Sequence, residues 1–176
     1  MKRNRKLEKT IQKAELDCVP QDLLLEIERA WFGGPPVLPV EWVNNSYLER
    51  HDVYSAFSDK RWDEVLCKDI PDYFCGLTCF QNAPTGSAGY YLASYIKCWF
   101  ASSDTDRDRI LDCIEFLLQH LMRNRDQTEL DVSQCIAVGH FLHLLDVRLV
   151  LTSPPELVVE WKRMVNEMSN SKTGDL

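Results

Sequence analysis

Between Tyr90 and Phe100 only Ser94 and Lys97 are clearly polar, and at helical spacing those two residues share one narrow stripe with Tyr90 and Ala101. A segment apolar on nearly every side is either a membrane span or the central helix of a globular core. This run is too short to cross a bilayer and carries a lysine, so the pattern predicts a buried helix over about 88–101.

The flanking pattern is helical on both sides. In 21–32 the apolar residues Leu23, Leu24, Ile27, Ala30 and Trp31 recur at three- and four-residue spacing, and Gly33 stands where a C-terminal glycine cap belongs. After the central run, Ser103-Asp104-Thr105-Asp106 offers a capping signal ahead of Ile110, Leu111, Ile114, Leu117, Leu118 and Leu121, an apolar face that runs to Met122. Asp131-Val132-Ser133-Gln134 opens another helix, with Cys135, Val138, Leu142, Leu145 and Leu149 in line. Ser153-Pro154-Pro155-Glu156 combines a serine cap, a first-turn proline and a glutamate three residues beyond the cap, before Leu157, Val158, Trp161, Val165 and Met168.

The remaining stretches are shorter or broken. A first helix is expected over 7–16, ending before Pro20, and a further one from a cap at Asn45 or Ser46 to about Phe57, with Leu48, Val53 and Tyr54 inward. Pro35-Pro36-Val37-Leu38-Pro39 reads as an extended connection with Val37, Leu38 and Trp42 tucked inward; its Pro-x-x-Pro pattern is also the minimal form of a ligand for a proline-recognising groove. Trp62 to Leu66 is expected to form a short helical turn that drops Trp62 and Leu66 onto the core. Residues 70–88, with Pro71, Gly76, Pro84 and Gly86, form the least regular part. No alternating strand pattern stands out. The expectation is an all-α fold: an irregular six- or seven-helix single-domain bundle around the central helix, with a basic arm or short helix over 1–19, the domain over 20–169 and a disordered tail over 170–176.

Composition supports this and narrows the partners. A chain of 176 residues that is 45% hydrophobic can bury a core as one domain. No apolar leader or span-length run is visible, so the expected location is the cytoplasm, with no membrane association. The seven cysteines, 18, 67, 75, 79, 98, 113 and 135, are odd in number and scattered, and Cys98, Cys113 and Cys135 fall within helical patterns, which favours reduced, buried thiols over a disulfide framework. The formal charge of −7 is uneven: residues 1–13 carry six bases against Glu8, or +5, leaving 14 bases and 26 acids, or −12, for the rest. So acidic a body excludes nucleic acid as its partner and favours a basic protein, although net charge also serves solubility. The basic run itself can meet nucleic acid or an anionic membrane, or be a solvated helix start.

Candidate chemistry is sparse. Cys75-x-x-x-Cys79 and His140-x-x-His143 could together supply two thiolates and two imidazoles to a metal, but they are far apart in sequence; otherwise the histidines form an exposed helix edge and the cysteines small core residues. The loop into the central helix, with Thr85, Gly86, Ser87 and Gly89, points backbone donors at a helix N-terminus, where a phosphate or carboxylate can bind. It lacks the glycine spacing and Lys-Ser/Thr ending of a P-loop and also reads as a loop capping its own helix. Nucleophile-elbow, His-Glu-x-x-His and cysteine protease signatures are missing. Asp104, Asp106, Asp108 and Asp112 fall on the exposed helix face and early turn, where they favour the helix dipole. No catalytic residue and no cofactor are expected.

One resemblance covers 21 to about 165. Leu25 to Gly33 followed by prolines, Phe57 with Lys60-x-Trp62, Leu77-Thr78-Cys79-Phe80, Tyr90-Tyr91-Leu92-Ala93-Ser94-Tyr95, and Gln134-Cys135-Ile136 with Phe141-Leu142 occur in this order. That order resembles a bacterial family of α-helical domains of unknown function with the hallmark Leu-Thr-Pro-Glu-Ala-Phe-aromatic-Tyr-Leu-Pro-Ala-Tyr. The chain departs from the hallmark in a longer Gln81 to Gly89 segment and in Ala93-Ser94 where Pro-Ala would stand. The resemblance implies a helical fold and brings no activity. The small acidic body without catalytic motifs leads to a non-enzymatic protein-binding module, such as an immunity protein covering the basic cleft of a toxin. The alternative is an enzyme or small-anion binder using the glycine-rich loop.

Overall fold

Ser102 and Ser103 alone separate the central helix from its successor, and so short a link folds the two back on each other. The computed structural model describes residues 21–33, 56–70, 86–123, 130–148, 159–164 and 166–167, and all regular structure among them is helical, with no strand. The helices are α1 (21–30), α2 (Ser87–Ala101), α3 (Asp104–Arg123), α4 (Val132–Arg148) and α5 (159–164), with two 3-10 turns at Trp62–Glu64 and Cys67–Asp69. The all-α class is therefore observed. The expected helix over 7–16, the Pro35–Pro39 connection, the cap at Asn45 or Ser46, most of the irregular 70–88 region, the Ser153–Glu156 cap and the tail lie outside the described residues.

The central position of α2 follows from its composition. Ser87 to Ile96 are all buried, as are Cys98 and Trp99, and Tyr91, Leu92, Ala93, Ser94 and Ile96 are fully enclosed. Burying a large apolar side chain contributes about 1.5–3 kcal/mol, so this helix carries a large share of the core. α3 lies antiparallel along it: Gly89 near the start of α2 meets Leu130 and, near the end of α3, Leu121. A Cβ on Gly89 would stand 3.0 Å from Leu130 Cδ2 and 3.2 Å from its Cγ, so this glycine is needed for the close approach. The expected α3 face is the observed one, with Ile110, Leu111, Ile114, Leu117, Leu118 and Leu121 all buried.

The helix ends show how the sequence sets the boundaries. Gly33 adopts φ 82° just past α1, the left-handed geometry that stops a helix. Asp131 and Gln134 form a reciprocal capping box at the start of α4: Gln134 N donates to Asp131 Oδ1 at 2.8 Å and Asp131 N to Gln134 Oε1 at 3.0 Å. Ser103 precedes α3 as expected, but its hydroxyl donates to the Asp106 carboxylate (3.1 Å), while its carbonyl accepts from Asp106 N and Arg107 N. At the other end of the core, Trp99 and Phe141 meet edge to face at 5.3 Å, joining α2 to α4. Trp161 of α5 donates its indole N–H to Cys135 O (3.0 Å) and lies beside Gly139.

One expectation is corrected. Trp62 is buried, but Leu66 is 51% exposed and Val65 takes the inward place. The 3-10 turn ends at Glu64, and Val65 is extended (φ −67°, ψ 124°), so successive side chains alternate in and out instead of recurring at helical spacing.

Candidate functional site

The polar stripe of α2 is a clasp for the irregular segment that precedes it. Ser94 Oγ donates to Trp62 O at 2.7 Å in a fully buried contact, Lys97 Nζ donates to Asp63 O, and Tyr91 Oη lies 3.0 Å from Phe57 O and 2.9 Å from Lys60 O as donor. Trp62 N in turn donates to Tyr90 Oη at 3.4 Å. A segment without regular structure leaves carbonyls with no ladder partner, and these side chains supply the donors. Burial pushes both tyrosine hydroxyls upward in pKa, which keeps them protonated, Tyr91 as a donor to the carbonyls and Tyr90 as the acceptor from Trp62 N. The Lys97 ammonium also stands 6.0 Å from the Trp62 ring centre. Trp31 completes the assembly: its indole N–H donates to Gly89 O at 3.1 Å, and its own carbonyl, left over at the end of α1, accepts from Trp62 Nε1 at 3.0 Å. The polar groups that sequence reading placed on a stripe are thus consumed in holding the fold.

At the N-terminus of α2, Gly86 takes φ 89° and its carbonyl accepts from Tyr90 N at 2.8 Å. Gly86 and Gly89 therefore each have a conformational or packing reason to be glycine. Ser87 is fully buried and its Oγ has no hydrogen-bond partner among the described residues. Thr85 lies outside the described residues. Of the four metal candidates, Cys75 and Cys79 also lie outside them. His140 and His143 are exposed, and His140 Nδ1 contacts both Glu26 carboxylate oxygens at 2.9 Å, tying α4 to α1. Among the described residues no group of three or more His, Cys, Asp or Glu comes together to hold a metal.

The cysteines sort by depth. Cys98, Cys113 and Cys135 are buried and Cys67 is half-buried, all as free thiols. Burial pushes the Cys135 thiol up to about 11, and Asp131 adds to it. Cys98 is likewise raised by burial, with a hydrogen bond to Cys67 as the next cause, while the nearby charges of Lys97 and Arg109 oppose the shift.

The surface of α3 is charged by an unequal arrangement. Arg107 Nε donates to Trp99 O (3.2 Å), with its guanidinium 5.4 Å from the Trp99 ring centre, and Arg109 Nη1 reaches Ile70 O at 3.5 Å. Both arginines turn onto the core, where Arg107 also meets a C-terminal carbonyl of α2. Asp106, Asp108 and Asp112 remain exposed, and Asp108 and Asp112 have no counter-ion among the described residues. Sequence reading found the carboxylates but not the withdrawal of the arginines, since an alternating Asp-Arg-Asp-Arg string reads as balanced charge until the depth of each side chain is known.

Among family models, curated proteins and solved structures, none matches this chain. No helix among the described residues is long and apolar enough to cross a membrane.

Proposed function

We propose that the protein is a cytoplasmic, non-enzymatic protein-binding module whose acidic α3 face receives a basic protein, in the manner of an immunity protein that covers a toxin's cationic active-site cleft. The observation that carries this reading is the separation of charge on α3: Arg107 and Arg109 are turned inward onto carbonyls while Asp106, Asp108 and Asp112 face solvent. Asp108 and Asp112 are one helical turn apart, where like charges cost a few tenths of a kcal/mol of helix stability. A face that retains this cost has a negative potential to offer an approaching cationic surface, raising its on-rate and excluding acidic competitors. The −12 body charge outside residues 1–13 extends the same field and repels nucleic acid and anionic membranes.

The test is capture from the native host with the full chain as bait, at low and moderate salt, alongside an Asp108→Lys, Asp112→Lys variant with an unchanged circular dichroism spectrum. The reading expects a basic protein retained by the parent, released by salt and lost from the variant. Equal retention by both, or no protein retained at low salt, contradicts it.

A further inference from the structure

The start of α2 gathers hydrogen-bond donors that no described residue accepts from. Tyr90 N bonds Gly86 O, so the N–H groups of Ser87, Ala88 and Gly89 come before the first intrahelical bond and have no acceptor within the helix. Gly86 stands at the cap position in left-handed geometry, φ 89°, and as a glycine it brings no side-chain oxygen to them. A second observation comes from Ser87: the residue is fully buried, and its Oγ has no hydrogen-bond partner among the described residues. Cα–Cβ bonds in a helix tilt toward its N-terminus, so at the first helical position this hydroxyl is carried to the end where the three N–H groups point.

We propose that this helix end binds a phosphate group, free or as a phosphomonoester. Three N–H groups and one hydroxyl at one end suit the several oxygens of a tetrahedral oxyanion better than the two of a planar carboxylate. The positive end of the α2 dipole favours the same charge. A bound phosphate accepts from the buried Ser87 hydroxyl, whose burial without a partner is otherwise unfavourable. Gly86 is half-buried, so solvent comes to within one residue of Ser87 and gives the ion its approach.

The neighbouring helix brings positive charge to the same end of the core. Leu121 Cδ2 lies 3.9 Å from where a Cβ on Gly89 would stand, and the last turn of α3 around it holds His120 and the exposed Arg123. Asp106, Asp108 and Asp112 belong to the first half of α3 and so lie toward the other end of the antiparallel pair. Asp131, which follows Leu130, has its carboxylate engaged by Gln134 N and Ser133 Oγ. The negative charge of the body acts through solvent and is screened beyond about 8–10 Å, whereas the donors of the helix end act in contact. The site is separate from the acidic face, and the inference does not rest on the proposed function.

Equilibrium dialysis of radiolabelled inorganic phosphate against the full chain, in chloride buffer of fixed ionic strength, tests this. Binding is expected to saturate at one phosphate per chain and to weaken at least about tenfold in Ser87→Ala, which loses a hydrogen bond to a charged acceptor. Displacement of the label by glycerol phosphate extends the site to phosphomonoesters, and resistance to it confines the site to the free ion. Amide chemical shifts of the parent chain, titrated with the same phosphate, are expected to move most at Ser87, Ala88 and Gly89. Circular dichroism checks that Ser87→Ala is folded, and if it is not, the shifts of the parent chain decide alone. The proposal is overturned by the lack of saturable binding, by equal affinity in Ser87→Ala, or by shifts centred elsewhere. Displacement of the label by acetate at the same concentration as unlabelled phosphate also overturns it.

Discussion

Ser87 and Ser94 are both fully buried in α2, yet the same substitution is expected to move stability in opposite directions. Ser94 Oγ donates to Trp62 O at 2.7 Å, and that carbonyl belongs to a 3-10 turn with no ladder of its own. Ser94→Ala leaves the carbonyl buried and unsatisfied, at a cost of about 1–3 kcal/mol. The better helix propensity of alanine returns roughly 0.5 kcal/mol, for a net loss of about 0.5–2.5 kcal/mol. Ser87 Oγ makes no hydrogen bond, so Ser87→Ala removes a polar atom whose burial is already unfavourable by about 1–3 kcal/mol, and a gain of about 1 kcal/mol is expected. Urea unfolding of the two variants at a common m-value measures the difference directly. In thermal unfolding, each kcal/mol corresponds to about 2–4 °C for a chain of this size. Equal losses in both variants would show that the partners assigned to the two hydroxyls are wrong.

Three further outcomes follow from single residues. Trp62→Phe removes the indole donor to the Trp31 carbonyl, and urea unfolding is expected to show a loss of about 1–3 kcal/mol. Asp59 sits at φ 54° in the turn after Phe57, so Asp59→Gly should stay within about 0.5 kcal/mol of the parent chain while Asp59→Val loses about 1–2 kcal/mol. His120 has its pKa lowered, chiefly by burial and then by Arg123. Below its ordinary value of 6.5 the unfolded chain takes up a proton that the folded chain resists, so this residue's contribution is present above that pH and is lost on acidification. His120→Gln should therefore flatten the fall in unfolding midpoint between neutral and mildly acid pH, read by thermal scans across that range.

The legible part of this fold is the part written in helical periodicity. The α3 face from Ile110 to Leu121, the helix start at Asp131 to Gln134, and the nearly all-apolar run of α2 each state their environment locally, and the structure has them as expected. What the sequence left unread depends on contacts between distant segments. Ser94 and Lys97 read only as a narrow polar stripe until the carbonyls of 62–63 are laid over them. Leu66 looks inward until an extended Val65 reverses the alternation. Trp31 and Trp62 have no local signal that their indoles relay from one element to the next. The same limit applies to the site: Asp106, Asp108 and Asp112 are readable as exposed carboxylates, but the inward turn of Arg107 and Arg109 depends on carbonyls from α2 and from Ile70.

The central structural claim is that α2 is buried from Ser87 to Ile96 and at Cys98 and Trp99, with Ser94 of its polar stripe fully enclosed and Lys97 half-buried. Amide hydrogen exchange across Tyr91 to Trp99 tests it most directly, because a helix closed by the clasp of 57–63 exchanges only when the whole chain opens. The account predicts opening free energies for these amides equal to the global unfolding free energy from urea. Exchange of these amides through a smaller, local opening, at a rate insensitive to Ser94→Ala, would contradict it.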